Sequence, residues 1–103
     1  MKIIEKLANM IDDELEGARD YAMTALEYKD SMPELARIMH AHSLAEMQHA
    51  NDLHALVVIQ IEEYRRKNGE PPEGMQVLYD YLHKQHIQDA AEIKQLQSMY
   101  TVR

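Results

Sequence analysis

Four of the chain's six glycine and proline residues lie in one short stretch, KNGEPPEG, from Lys67 to Gly74. Outside this stretch, only Gly17 and Pro33 are residues that commonly interrupt a helix or a strand. Alanine, leucine, methionine, glutamate and glutamine are abundant, and all of them favour helix. Because glycine and proline are the strongest local breaks in a chain, their scarcity predicts long helices separated by one main loop. The predicted fold class is all-α.

Start and stop signals divide the 103 residues into three helices within a single domain, residues 1–103. Pro33 suits the first position of a helix, with Ser31 as its predicted N-cap and Glu34 three residues after that cap. The cations of YRRK, just before the loop, complement the negative end of the same helix. We predict a helical hairpin within residues 1–67, a loop over 68–74 and a third helix over 75–100, the helices being Ile3–Lys29, Pro33–Lys67 and Met75–Tyr100.

Charge and composition exclude several classes of function. The net charge of −7 argues against a nucleic-acid partner, because phosphate binding needs clustered lysine and arginine. The chain has no cysteine, so disulfides, thiolate nucleophiles and zinc–cysteine sites are excluded. The first residues, MKIIEKLANMIDDELE, become acidic within a dozen positions, so they lack the long apolar core of a secretory signal peptide. No apolar run in the sequence is long enough for a membrane span. We therefore expect a cytoplasmic protein with no membrane partner.

Polar residues interrupt the apolar stripe of the first two helices at mid-length. At the 3–4 spacing of a bundle seam, helix one has a single charged member, Glu14, in the series Ile4, Leu7, Ile11, Glu14, Ala18, Tyr21, Ala25 and Tyr28. Helix two has three consecutive polar members, in the series Leu35, Met39, His42, Glu46, His49, Leu53 and Leu56. A carboxylate in a core is costly unless it is paired or binds a metal, so these interruptions need a reason.

The tight turn between the helices suggests one. Glu14 and Glu46 lie at similar distances on either side of Ser31, so an antiparallel hairpin would bring both carboxylates to the same height. This predicts a metal site formed by Glu14, Glu46 and His49. Two other interpretations stay open: a buried hydrogen-bonded Glu46–His49 pair, or a stripe that faces water. His42, one turn before Glu46, is either a further ligand or a core histidine.

Helix three carries Asp80, His83 and His86 at a spacing of three residues. A solvated or partner-facing surface is the preferred interpretation of these side chains. The apolar residues beside them suffice for a packing face, namely Leu78, Leu82, Ala90, Ile93, Leu96 and Tyr100. A metal role for the polar side chains of this helix is the alternative, which the sequence favours less.

Two motifs resemble those of ferritin-like di-iron carboxylate proteins, such as bacterioferritins and rubrerythrins. That family carries Glu-x-x-Ala-x-x-x-Tyr on its first helix, and ELEGARDY matches it with Glu14, Gly17 and Tyr21, glycine replacing the usual alanine. Its second helix carries Glu-x-x-His, matched by EMQH with Glu46 and His49. The resemblance implies that Glu14, Glu46 and His49 are metal ligands and that Tyr21 supports them or the oxidant.

The chain departs from the family in encoding only half of the usual ligand set. A ferritin-like bundle takes one glutamate from each of two helices and a Glu-x-x-His from each of the others. A homodimer would complete both the four-helix bundle and the centre, with two iron ions, or manganese, per dimer. Such a half-size arrangement is similar to the encapsulated ferritins, whose targeting peptide follows a flexible tail. Here SMYTVR follows the helix without such a linker, which argues against delivery into an encapsulin shell.

The resemblance implies a ferroxidase or oxidase activity that uses dioxygen or peroxide, in a homodimer or a higher homo-oligomer. The alternative is a non-catalytic dimerisation or regulatory module that keeps the ferritin-like scaffold. Whether the protein is an enzyme stays open at this point.

Overall fold

A computed structural model describes residues 2–101, and these form three helices. They are α1 (Lys2–Tyr28), α2 (Pro33–Asn68) and α3 (Glu73–Thr101). The all-α prediction is confirmed, and the predicted helix ends differ by one or two residues. The last two residues of SMYTVR lie outside the described range, and Ser98–Thr101 continue α3.

The predicted cap of α2 is wrong. Met32, not Ser31, is the N-cap residue, and no side chain caps the helix there. The carbonyl of Met32 accepts a hydrogen bond from the amide of Ala36 at 3.0 Å, while Pro33 occupies the first turn. The first amide groups of a helix have no partner within the helix. Because proline has no amide hydrogen, Pro33 leaves one fewer of these donors to be satisfied by a capping side chain.

The loop between α2 and α3 is shorter than predicted. Gly69 ends α2 with a φ of 79°, and its amide donates to the Arg65 carbonyl at 2.9 Å. The carbonyl of Pro72 then accepts hydrogen bonds from the amides of Met75 and Gln76, so the helix begins at Glu73. The positive φ at residue 69 favours glycine, which explains why the helix stops there.

The helices lie side by side in a rod of 55 × 17 × 17 Å. A buried hydrogen-bond chain joins all three: Gln97 donates to Ser43 Oγ at 2.9 Å, and Ser43 donates to the Ala18 carbonyl at 2.7 Å. Further contacts show that α2 runs antiparallel to both other helices, since Glu14 of α1 meets His49 and His83 of α3 meets His54. This chain of hydrogen bonds fixes the height at which the helices pair.

The core combines a few large side chains with small ones. Its buried cluster consists of Ile11, Leu15, Ala18, Met47, Ala50 and Ile93. Alanine and serine occupy most of the remaining buried positions of α1 and α2, including Ala22, Ala25, Ala36 and Ser43. Small residues let two helix backbones approach closely. Which residues are buried between α1 and α2 therefore depends on their size as well as on their hydrophobicity.

The predicted packing stripe of α2 is rotated relative to the structure. The buried residues of α2 are Ala36, Ser43, Met47 and Ala50, whereas Leu56 is 44% exposed. Glu46 is partly buried and His49 is exposed, so both lie at the border of the core rather than within it. The predicted stripe of α2 therefore lies beside the surface that packs against the other helices, and part of it is exposed on the outside of the molecule.

Helix α3 covers one side of the α1–α2 pair. It contacts α1 through Asp12 and Arg19, which lie about 160° and 140° around the helix from Glu14 at 100° per residue. On α2 it contacts His54, about 140° around from His49. The carboxylates and imidazole of the predicted site consequently lie on the opposite side of the pair.

We call this opposite side the open face. It carries Glu14, Glu46 and His49. The same side of α1 carries Ile3, Met10 and Gly17, which are seven residues apart. The same side of α2 carries His42 and Leu56, each seven residues from His49. Ile3, Met10 and Leu56 are 46%, 41% and 44% exposed. The open face thus combines the polar layer with apolar side chains on either side of it.

Two histidines lie where α3 packs on the helix pair, and the burial of His86 within the chain differs from the solvated or partner-facing surface predicted for it. His86 is buried, and its Nε2 lies 2.8 Å from Asp12 Oδ1. His54 is half-buried between α2 and α3, and this burial, followed by the neighbouring charges of His83 and His86, lowers its pKa. Within residues 2–101, no helix has the length and apolar character that crossing a membrane requires.

Candidate metal centre

Glu14, Glu46 and His49 come together on the open face, as the sequence predicted. His49 Nδ1 lies 3.5 Å from Glu14 Oε2 and 3.5 Å from Glu46 Oε1. One ligand atom from each of the three residues lies within 4.8 Å of the others. In the part of the chain that the structure describes, this is the one group of three or more such side chains with this compactness. Two carboxylates and an imidazole are a donor set that suits iron or manganese.

The Glu14 carboxylate carries an unsatisfied oxygen. Its Oε2 atom is buried and has no hydrogen-bond partner among residues 2–101, although His49 Nδ1 stands at 3.5 Å. A buried carboxylate oxygen without a hydrogen bond is destabilising, because it has lost water and gained only the longer contact with His49 in return. A cation placed between Glu14, Glu46 and His49 would supply the missing interaction. The residues present therefore fit a metal ion.

Glu14 opposes the ionisation of Glu46. A carboxyl–carboxyl hydrogen bond with Glu14, followed by burial and the negative charge of Glu14, raises the pKa of Glu46. The charge and hydrogen bond of His49 act in the other direction and are weaker. Without a metal, Glu46 thus holds its proton more strongly than an isolated glutamate would. A bound cation would replace that proton and favour both ionised forms.

Gly17 makes room for the Glu46 carboxylate. A Cβ atom built at residue 17 would stand 3.1 Å from Glu46 Oε2, closer than most real Cβ contacts. Glycine in the middle of a helix costs about 0.5–1 kcal/mol relative to alanine. The close approach of the carboxylate is a specific reason to accept that cost at this position. The sequence motif shows the glycine, but only the structure shows which atom occupies the space.

Enlarging residue 17 should weaken metal binding in proportion to side-chain size. In Gly17→Ala the Glu46 side chain has to move by a few tenths of an ångström, and we expect a small loss of affinity. In Gly17→Leu the branched side chain displaces the carboxylate, and we expect at least about a tenfold loss, or about 1.4 kcal/mol. Both substitutions favour helix, so unfolding is not the cause. Titration of the metal-free variants with Mn²⁺ measures the change.

Gly74 provides the matched control for this series. It lies in the first turn of α3, where an added Cβ would meet nothing within 4 Å. Gly74→Leu should bind Mn²⁺ as the wild-type chain does. Equal affinities for wild type and Gly17→Leu would show that the space beside Glu46 has no role in binding.

The other two predicted residues lie next to this group rather than within it. Tyr21 is partly buried, and its ring centroid lies 5.1 Å from that of His42, with the planes tilted by 30°. His42 itself is exposed and does not belong to the compact group of ligand atoms. The Tyr21–His42 contact lies further along the open face, with Tyr21 about two helical turns from Glu14 and His42 about one turn from Glu46. The predicted support by Tyr21 and ligation by His42 stay predictions.

A second polar cluster, on the α3 side, was missed. His54 and His83 are in contact across α2 and α3, and His86 lies one turn further along α3. The spacing of Asp80, His83 and His86 was the signal present in the sequence, but the length of the loop does not determine which part of α2 faces them.

No family model matches this chain, and comparison with curated proteins and with solved structures gave no significant match.

Proposed function

We propose that this protein is a ferritin-like metal-binding protein that oxidises Fe²⁺ at a centre shared between two copies of the chain. The observation that carries the proposal is the buried Oε2 of Glu14, which has no hydrogen bond and lies beside a second carboxylate and an imidazole on the side of the helix pair opposite α3. Each chain would contribute Glu14, Glu46 and His49. Manganese is compatible with the same donors.

The number of ligands supports the need for a second copy. Two carboxylates and one imidazole are too few for two metal ions, whereas two chains related by a two-fold axis supply four carboxylates and two imidazoles. Such an axis would pass between the ions and bring two open faces together. The exposed Ile3, Met10 and Leu56 would then be buried, which favours association through apolar contact.

The donor set also supports the chemistry. Four carboxylates nearly balance the charge of two divalent ions and stabilise the ferric state more than the ferrous one. Each Fe²⁺ gives up one electron, and the two electrons, with two protons from solvent, reduce one dioxygen to hydrogen peroxide. Hydrogen peroxide as the oxidant would be reduced to water by the same two electrons. His49 of each chain would provide one nitrogen ligand to each ion.

Metal stoichiometry combined with the mass in solution tests the proposal. Metal-free protein titrated with Fe²⁺ under anaerobic conditions should take up two ions per dimer, and sedimentation should give a dimer or an assembly of dimers. Glu14→Ala should take up none at the same concentrations. A chain that stays monomeric and takes up neither Fe²⁺ nor Mn²⁺ would contradict the proposal. A metal-free dimer without uptake would instead favour the non-catalytic dimerisation module.

A further inference from the structure

Two neighbouring cavities lie on the side of the molecule where α3 covers the helix pair. Their volumes are about 220 and 340 Å³. Three imidazoles, those of His54, His83 and His86, line both of them. The remaining walls are mostly apolar side chains of all three helices, among them Ile11. The three imidazoles lie where α3 borders the helix pair, with His83 exposed, His54 half-buried and His86 buried.

The His54 and His83 rings approach each other through their nitrogen atoms. His54 Nε2 lies 2.8 Å from His83 Nδ1, with the ring centroids 4.6 Å apart. When both rings are neutral, one nitrogen donates and the other accepts. Two nitrogens bound to one tetrahedral ion, each at about 2.0–2.1 Å, would lie about 3.3–3.4 Å apart. The two nitrogens therefore have to separate by about half an ångström to bind one ion as a pair of ligands from different helices.

The groups around this pair favour a cation. Asp80 lies one turn before His83 and lines the smaller cavity, where Gln76 donates to its carboxylate at 2.9 Å. On the other side, Asp12 Oδ1 lies 2.8 Å from His86 Nε2. Neither carboxylate contacts His54 or His83 directly, but their negative charge near the pair favours a cation there.

We propose that His54 and His83 bind one divalent transition-metal ion between α2 and α3, with cavity water completing its coordination. Imidazole ligands without thiolates suit zinc, nickel and copper, whereas the carboxylate-rich open face suits iron and manganese. This second site lies about 140° around α2 from His49 and is complete within one chain. Its consequence would be structural: the ion links α3 to the helix pair.

Zinc binding by a variant that lacks the carboxylate centre tests this site separately. We use Glu46→Ala, so that the open face keeps only one of its two carboxylates, and titrate the metal-free full chain with Zn²⁺. One Zn²⁺ per chain should bind, and the melting temperature should rise, since an ion that binds only the folded state stabilises it. Adding His83→Gln should remove both the uptake and the shift, with helical content checked by circular dichroism.

His40→Gln in the same Glu46→Ala background is the matched control. His40 is also an α2 imidazole, but it stacks on Tyr100, 4.3 Å between centroids, away from the pair. This variant should still bind one Zn²⁺ per chain. Absence of zinc uptake by Glu46→Ala, or uptake that survives His83→Gln, would overturn the proposal and leave the pair as a hydrogen bond only. Because iron uptake by the wild-type chain is a separate measurement, either site can fail without the other.

Discussion

Aerobic addition of Fe²⁺ to the wild-type protein should produce a ferric absorbance in the near ultraviolet, and Glu46→Ala should abolish it. Glu46 supplies two of the four carboxylates in the proposed dimeric centre, so its loss leaves each ion with too few charged ligands. Substituting even the outer partners of metal ligands typically costs about 10–100-fold in affinity or activity. We therefore expect the initial rate to fall by at least about 100-fold, towards that of protein-free buffer.

The control for this experiment is Glu16→Ala. Glu16 lies two residues after Glu14 on α1, but it is exposed and does not belong to the compact ligand group. Removing its charge should leave the initial rate of iron oxidation within about twofold of wild type, since surface substitutions away from such sites rarely change the structure. A Glu46→Ala protein that is helical, dimeric and still oxidises Fe²⁺ at the wild-type rate would exclude Glu46 as a ligand.

The helices could be predicted because glycine and proline mark their ends. Gly69 and Pro33 end and begin α2 close to where the sequence places them. The rotation of α2 was predicted incorrectly, because hydrophobicity gives leucine the greatest weight. The buried side is instead set by close backbone approach, with Ala36 and Ser43 against α1. The sequence alone does not show which small residues of α2 face α1, or which hydrogen bonds join the two helices.

The candidate site was predictable for a different reason. Glu14 and Glu46 lie almost equally far from the turn, so an antiparallel hairpin brings them to the same height even if the helices are rotated slightly. The three-residue spacing from Glu46 then places His49 on the same side of α2. The position of α3 has no such constraint, because the chain between α2 and α3 does not fix which residues pair. The contact between His54 and His83 could therefore be found only in three dimensions.

Glu46→Gln should stabilise the metal-free protein at neutral pH while it removes metal binding. The physical reason is the raised pKa of Glu46, which shows that its ionised form is disfavoured beside Glu14 in the folded state. A carboxyl group with a raised folded-state pKa stabilises the fold while it is protonated, and this contribution is lost as the pH rises through the raised value. Glutamine has no charge to lose, so it avoids that loss.

The difference between the two proteins should consequently depend on pH. At about pH 4, where a carboxyl group still holds much of its proton, the melting temperatures of wild type and Glu46→Gln should be close. At about pH 8 the variant should melt higher, by about 4–8 °C for each kcal/mol of relieved repulsion in a domain of this size. Protein concentration has to be equal in all melts, because the stability of a dimer depends on it.

Added Mn²⁺ should reverse the order of stability. The ion binds the ionised Glu14–Glu46 pair of the wild-type protein and raises its melting temperature, whereas Glu46→Gln has lost one charged ligand and should show little shift. Glu16→Gln controls for the general effect of removing one negative charge from a chain of net charge −7. If Glu46→Gln is less stable than wild type without metal at about pH 8, Glu46 is a structural partner of His49. In that case its proximity to Glu14 does not reflect a cation-binding site.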